Sequence, residues 1–453
     1  MEFFDSLVIP PSENHVLLLK YILTITLMLF IPYVGMMLGA AFISTYFNKK
    51  GKLEGNKLYA RFAKDVIEKL TITNSAEFAL GTIPVLSALF AYAQLLYGAK
   101  TIAISIMALS AVIFIIAFTF IYKYRNTFKI ESVLQAYRRF ANPEILKTND
   151  KDVKEIETFE ENVVSSNSTS GTAGKYLLLT AVYLFAGTTA LASSPNMWEQ
   201  VGNILQVIFS WQSLFSFLSL VSIGGIVTGA AIIFYFFNWQ GGLKDIDDEY
   251  AAFVKKFAGG LTLVSGVSLP LMLLISYLYL PAIAQSPAVF YYMIITLIVT
   301  LILCNFVYAM IKNSDVQSGT VVFILVFVLV LFNIIKDQAA FGNAIHEQTL
   351  EATKVAEQLE IEAKNKTIQT TGINPQQIYD TKCIACHKFD QRLVGPPYDL
   401  TVPKYNGDVQ KLAEYIFNPQ KIDPNFPPMP NQGLKKKEAT AVAQWLISKV
   451  GKK

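Results

Sequence analysis

Apolar stretches of about 20 residues recur through most of the sequence, and they restrict the fold more than any other feature. A helix of that length crosses the hydrocarbon layer of a membrane while it satisfies its own backbone hydrogen bonds. A mean hydropathy of +0.40 and a charged fraction of 16% agree with a membrane protein. Eight membrane spans are predicted, at residues 17–47, 76–98, 101–122, 176–192, 214–237, 261–280, 289–311 and 321–335.

Lysine and arginine concentrate in alternate connections between these spans. Seven follow span one and nine follow span three, and smaller groups follow spans five and seven. The opposite connections contain only Lys100. Because basic loops stay on the cytoplasmic side, this pattern predicts a multi-pass protein of the inner (cytoplasmic) membrane with both termini outside, in the periplasm.

Three connecting segments carry further expectations. Residues 162–173, on the inner side, are rich in Ser, Thr and Gly and predict a mobile loop. Residues 196–211 predict a short outer helix that lies in the membrane interface with its tryptophans. Residues 338–366 are charged and contain no proline, which favours a helical stalk that extends the last span.

The polar C-terminal region contains the motif Cys383-Ile384-Ala385-Cys386-His387. Two thiols at this spacing can each form a thioether with a haem vinyl group, and the histidine directly after them reaches the iron. A CxxC pair can also bind zinc or act in redox exchange, but the chain has no second cysteine pair to complete a zinc site. The third cysteine, Cys304, lies alone in a span and is expected to be a small buried side chain.

From about residue 374 the chain resembles a class I c-type cytochrome. The motif is preceded by a predicted helix over 375–381 and followed by the turn Gly395-Pro396-Pro397. A helix over 408–418, the loop Pro427-Pro428-Met429-Pro430 and a helix over 436–449 that contains Trp445 follow in the same order as in that family. The resemblance implies a small all-α domain with one covalently bound haem c.

In this family the two axial ligands of the iron are a histidine and a methionine. The resemblance assigns these roles to His387 and Met429. A thioether ligand favours Fe(II) and raises the reduction potential, and the flanking prolines stiffen its loop. Water or a residue from elsewhere stays open as the sixth ligand.

Lysines and Arg392 surround the motif, and two interpretations of them stay open. A basic rim can steer an acidic redox partner toward the haem. The same charges also suit an ordinary solvated surface.

The spans themselves offer few groups for cofactor chemistry. The chain has three histidines, and His15 and His346 lie just outside the first and last spans, so a bis-histidine haem b or a copper site within the bilayer is not expected. Whether His15 and His346 ligate anything stays open. Lys20 and Glu77 lie near span ends and are too few to predict a proton channel.

The first two spans resemble subunit I of cytochrome bd-type quinol oxidases. The resemblance rests on Ile22-Leu23-Thr24 with Phe30-Ile31-Pro32, and on Glu77-Phe78-Ala79-Leu80-Gly81. The family's haem-ligand histidine in the first span has no counterpart, because Leu27 or Met28 stands nearby. Its other ligand histidine and the carboxylates of its third span are also missing.

The sequence thus predicts an all-α protein with three parts. A bundle of about eight transmembrane helices (1–337) precedes a helical linker (338–373) and a small soluble cytochrome c domain (374–453). The favoured function is a membrane-anchored mono-haem subunit of a respiratory electron-transfer complex that passes single electrons on the periplasmic side. The alternative is a bd-like quinol-oxidising oxidoreductase subunit with a fused haem c domain.

The predicted partners are of several kinds. We expect other subunits of the complex, a periplasmic redox carrier and membrane lipid, with quinol as a further candidate. No nucleic-acid partner is expected.

Overall fold

The computed structural model describes residues 10–140, 151–243, 246–313, 316–370 and 373–450. The structure is 81% helical and these residues contain no strand, which confirms the all-α prediction. They divide into two compact units, one ending at Lys354 and one beginning at Val355. The domain boundaries predicted at 337 and 373 stay predictions.

The first unit is built from long apolar helices joined by short ones. Its helices are α1 (Glu13–Glu54), α2 (Lys57–Leu70), α3 (Asn74–Glu77, continuing to Leu95), α4 (Ala103–Phe140), α5 (Lys151–Ala192), α6 (Ile204–Ile208), α7 (Trp211–Ile233), α8 (Asp248–Leu278), α9 (Pro287–Asn313) and α10 (Gly319–Ala344).

Eight helices in the described part of the chain are long and apolar enough to cross a membrane, as predicted. They are α1, α3, α4, α5, α7, α8, α9 and α10. Most are longer than the apolar stretches that revealed them: α1 and α5 have 42 residues each. The apolar stretch sets only the part of a helix that lies in lipid, whereas capping residues set its ends. For example, α1 ends at Gly55 in the left-handed conformation (φ 66°), and Asn56 then caps α2.

The expected mobile loop at 162–173 is wrong. These residues lie inside α5, which packs along α4 as an antiparallel pair. Gly171 lets α5 approach α4 closely, because a Cβ there would lie 2.8 Å from the Tyr124 ring. Asn167 is buried, donates to Thr127 Oγ1 (2.7 Å) and accepts from Asn48 Nδ2 (2.8 Å). Small and polar residues thus serve as a helix contact in this segment, a common use inside membrane bundles.

A second close contact joins α1 and α7. Gly35 faces Gly224, where a Cβ on Gly35 would lie 2.8 Å from the Gly224 Cα atom. Thr228 Oγ1 donates to the Gly35 carbonyl oxygen at 3.0 Å. Backbones this close gain dispersion contacts that larger residues would prevent, so α1 and α7 form a tightly packed centre for the bundle.

The predicted interfacial helix at 196–211 is only partly present. The segment forms a 3₁₀ turn (Pro195–Met197) and the short helix α6. Trp198 is buried within the protein, and its Nε1 donates to the Leu191 carbonyl oxygen (2.9 Å). Trp211 is 60% exposed and begins α7.

The last span does not continue unbroken into a stalk. Helix α10 ends at Ala344, and α11 (His346–Thr370) begins after the buried residue Ile345. The second unit then contains α12 (Pro375–Ile378, continued by the π-helical turn Tyr379–Cys383), α13 (Tyr398–Thr401), α14 (Val409–Phe417) and α15 (Lys436–Val450).

Candidate haem site in the C-terminal unit

The CxxCH motif lies at the end of α12, where the chain turns sharply. Asn374 caps the start of α12 with its side chain, and the π-helical turn follows. The carbonyl oxygen of Cys383 accepts hydrogen bonds from the N–H groups of Cys386 (3.1 Å) and His387 (2.9 Å). This turn brings both cysteines and His387 to the wall of one cavity.

The imidazole of His387 has a defined orientation. Its Nδ1 lies 2.9 Å from the carbonyl oxygen of Pro396, which can only accept, so Nδ1 carries the proton. Nε2 is thereby left with a lone pair that can coordinate a metal. Tyr398 stacks on the ring with centroids 5.1 Å apart and planes 21° apart. The predicted turn at 395–397 therefore does pass the histidine and orients it.

Gly395 makes this contact possible. A Cβ at that position would lie 2.3 Å from His387 Cε1. The Gly395 N–H donates to the carbonyl oxygen of Cys386 at 2.8 Å, which ties the turn to the motif. Only a residue without a side chain fits between the turn and the imidazole.

Met429 lines the same cavity as Cys383, Cys386 and His387, so the structure brings all four predicted residues together. The cavity has a volume of about 330 Å³. This value lies in the range of small-molecule sites, roughly 300–1,000 Å³. Its walls combine the predicted ligands with apolar side chains, including Leu412 and Ile416 of α14.

The segment around Met429, residues 425–432, is called the methionine loop here. Two basic side chains hold it at its two ends. Lys382 Nζ donates to the carbonyl oxygen of Gln432 (2.9 Å), and Arg392 Nη2 donates to that of Asn425 (3.3 Å). The Arg392 guanidinium also lies 4.4 Å from the Phe426 ring centroid. Sequence reasoning placed both residues in a basic rim and missed this role, because nothing local to either residue indicates a partner more than 30 residues away.

Three other lysines of the rim border the cavity. Lys404, Lys411 and Lys421 line it and are exposed. Both interpretations of the rim stay predictions.

The two thiols differ in environment. Cys383 is buried, whereas Cys386 is partly exposed. Burial raises the pKa of the Cys383 thiol, and a hydrogen bond with Tyr398 opposes this effect without reversing it. Before any thioether forms, the Cys383 thiol is therefore protonated at neutral pH.

The first and last helices of the unit pack together behind the motif. Trp445 of α15 contacts Tyr379 with ring centroids 5.1 Å apart, and Phe389 lies 5.9 Å from the same indole. Ala439, Val442 and Leu446 of α15 are buried. Trp445 thus packs the last helix on the first, and this core supports the turn that carries Cys383.

The residues present fit a covalent haem. The cavity has two thiols at its edge, an imidazole held with Nε2 available, and a thioether in a tethered loop. Each is the donor type that haem c attachment and low-spin ligation require. His15 and His346 lie elsewhere, in the first turns of α1 and α11.

Comparison with known proteins agrees with this site. The sequence profile of the cytochrome c family matches residues 374–449. Cytochrome c-551 of Pseudomonas aeruginosa is 32% identical over 79 residues, which are 17% of this chain and 76% of that protein. Cytochrome c-551 of Pseudomonas denitrificans is 31% identical over 77 residues, which are 16% of this chain and 94% of that protein. No solved structure matches the chain.

These matches cover a small part of the chain, and they leave the membrane unit untested. The resemblance of the first two spans to cytochrome bd-type quinol oxidases therefore stays a prediction.

Proposed function

Because the chain belongs to the cytochrome c family through its C-terminal region, we propose that it is a membrane-anchored, mono-haem electron-transfer subunit of a respiratory complex. Family membership implies a covalently bound haem c and electron transfer, and the eight apolar helices indicate a multi-pass membrane protein. Beyond this, we propose that the chain carries one haem, that the residues named below are its ligands, that its role is respiratory, and that the haem unit lies on the outer side of the membrane.

One observation carries the proposal: Cys383, Cys386, His387 and Met429 line a single cavity, and His387 Nδ1 is bonded to the Pro396 carbonyl oxygen. In this arrangement Cys383 and Cys386 would hold the haem covalently, and the imidazole of His387 and the thioether of Met429 would bind its iron. When bound, the haem supplies one-electron exchange between Fe(II) and Fe(III).

The chain's own residues then control the site. The Pro396 carbonyl keeps the imidazole in one tautomer, and Lys382 with Arg392 keeps the methionine loop closed. With both His387 and Met429 as ligands, the iron would have no open position for oxygen, which suits electron transfer. Apolar walls lower the local dielectric and reduce reorganisation when the charge of the iron changes.

Loop charge supports an outer, periplasmic location of the haem unit in the cytoplasmic membrane. The predicted topology places Glu54, at the end of α1, on the inner side of the membrane. It places Gly202, between α5 and α6, on the outer side. Exposed lysines at the cavity border support docking of an acidic periplasmic carrier. The membrane unit is proposed to bind the other subunits of the complex and lipid.

The haem content of the purified full-length protein tests the proposal. The expected result is one haem c per chain that stays with the polypeptide after denaturation and is reduced and reoxidised in single-electron steps. Haem that dissociates on denaturation, or b- or d-type haem in the isolated chain, would contradict it and favour the bd-like alternative.

A further inference from the structure

A cavity of about 110 Å³ lies inside the membrane unit, at the end of the bundle where α5 and α8 finish and α7 begins. Along α7 its wall runs from Gln212, in the first turn of the helix, to Ile223. That separation corresponds to about 16 Å along the helix axis, roughly half of the ~30 Å hydrocarbon layer of a bilayer. The cavity therefore leads from one end of the membrane unit to about its middle.

Four of the surrounding helices contribute polar side chains to this cavity. They are Thr189 of α5, Ser216 and Ser219 of α7, Ser276 of α8 and Asn333 of α10. The Ser219 hydroxyl donates to the Phe215 carbonyl oxygen of its own helix (2.8 Å), and its lone pairs can still accept. Hydroxyl and amide groups lose hydrogen bonds against an acyl chain, so this lining favours a polar occupant.

One side chain at the cavity is a buried cation. Lys336 is only 8% exposed, and its Nζ lies 2.9 Å from Asp337 Oδ1. An ammonium has three N–H donors, and this ion pair uses one of them. Ionisable residues within membrane helices are costly to bury, and those that occur almost always face the bundle interior or a water-filled cavity.

Next to this cation lies an acceptor without a donor. Asn333 is 3% exposed, and its Oδ1 has no hydrogen-bond partner among the residues that the structure describes. Its Nδ2 donates to Asp337 Oδ2 at 3.0 Å. Leaving a buried acceptor unsatisfied costs roughly 1–3 kcal/mol. Asn333 and Lys336 are three residues apart on α10 and share one face of the helix. The occupant of the cavity therefore has to donate to one group and accept from the other.

We propose that this cavity holds a cluster of water molecules, which hydrates the Lys336 ammonium inside the membrane unit. One water needs about 10–15 Å³ of cavity volume, so the cavity has room for several. A water donates to Asn333 Oδ1 and accepts from Lys336 Nζ, whereas an anion cannot donate and a metal cation is repelled by the ammonium. The proposal concerns the membrane unit alone and rests on none of the haem ligands.

The first test compares two cysteine variants, Ser219→Cys and Ser222→Cys, in the full-length haem-containing protein with Cys304→Ala. Both serines lie on α7, are 8% exposed and donate to a carbonyl oxygen of their own helix, but only Ser219 lines the cavity. Iodoacetamide reacts with the thiolate, which an apolar environment disfavours and water stabilises. We expect the thiol at position 219 to be alkylated at least about tenfold faster than the thiol at 222, as measured by mass spectrometry of the α7 peptide.

The second test needs no substitution, so misfolding of a variant cannot affect it. Hydroxyl radicals, generated from water by a short X-ray exposure, label side chains that lie next to water. Tyr92 and Phe185 line the cavity and are each 3% exposed, whereas Tyr124 and Phe114 are equally buried and lie outside it. Labelling of Tyr92 and Phe185 should be at least severalfold faster than that of Tyr124 and Phe114. Equal rates in either test would mean that the cavity is dry or filled by lipid, and would overturn the proposal.

Discussion

The imidazole Nδ1 of His387 lies 2.9 Å from the carbonyl oxygen of Pro396, at a turn that begins with Gly395. Because the carbonyl can only accept, this contact selects the tautomer in which Nε2 is available to a metal. The cavity in front of the imidazole contains both cysteines of the motif and Met429. One backbone carbonyl therefore links a proline turn, recognisable in the sequence, to the chemistry of the site.

Gly395→Ala should destabilise the haem unit. The new Cβ would lie 2.3 Å from His387 Cε1, so either the turn or the ring must move. We expect a loss of about 1–3 kcal/mol in the free energy of unfolding, typical of overpacking. Thermal unfolding followed by the haem absorbance measures it. Gly202→Ala is the control, because a Cβ at Gly202 meets nothing within 4 Å. An unchanged unfolding midpoint in Gly395→Ala would mean that the turn is not packed on the imidazole.

Met429→His should lower the reduction potential of the haem. A thioether favours Fe(II), whereas a second imidazole favours Fe(III) more. We expect a decrease on the order of 0.1 V or more, within the roughly 0.8 V that axial ligands span. Spectroelectrochemical titration measures the potential. Gln420→Ala, which also changes a residue lining the cavity, should leave it nearly unchanged. Equal potentials for the wild type and Met429→His would exclude Met429 as a ligand.

Arg392→Ala should loosen the methionine loop. The change removes the hydrogen bond to the Asn425 carbonyl oxygen and the contact with the Phe426 ring. A cation–π contact at an exposed site contributes about 0.5–1 kcal/mol. We expect added imidazole to displace the methionine at severalfold lower concentration than in the wild type. Lys388→Ala removes the same charge close to the motif and serves as the control. If both variants respond alike, the easier displacement comes from the change in net charge and not from the loss of the Arg392 contacts with Asn425 and Phe426.

Asn167→Leu should destabilise the membrane unit. It removes the partner of Thr127 and of Asn48 between α5 and its neighbours. Hydrogen bonds between membrane helices contribute on average about 0.6 kcal/mol each, so we expect a loss of about 1 kcal/mol or more. Thermal denaturation in detergent measures it. Asn305→Leu provides the comparison, because Asn305 is exposed and bonds only the Leu301 carbonyl of its own helix. A midpoint equally low in both variants would argue against the buried network.

The proposed topology predicts two opposite labelling results. Gly202→Cys should react with a membrane-impermeant maleimide in intact cells, whereas Glu54→Cys should react only after the cells are broken. Both positions are exposed in the structure, so accessibility within the protein does not distinguish them. The reverse pattern would place the haem unit on the cytoplasmic side.

Part of this protein could be predicted from local patterns. Eight apolar stretches, the CxxCH motif and the order of turns and helices after residue 374 depend on neighbours in the chain, and the structure agrees with them. The errors have a common origin. Residues 162–173 look like a loop by composition, yet they form a buried helix face because α4 lies against them. Lys336 escaped notice because it directly follows the apolar stretch at 321–335, although α10 continues to Ala344.

The sequence by itself determined the all-α class, the membrane spans and the residue types needed for a covalent haem. These follow from hydrophobicity, helix periodicity and the spacing of two thiols and an imidazole, which act over a few residues. Only the tertiary structure decided that Pro396 orients His387, that Lys382 and Arg392 hold the Met429 loop, and that Asn333 and Lys336 share a cavity with Leu27 and Ile223. Each of these relationships depends on segments distant in sequence approaching to within hydrogen-bond or van der Waals distance, and packing of the whole chain sets such approaches.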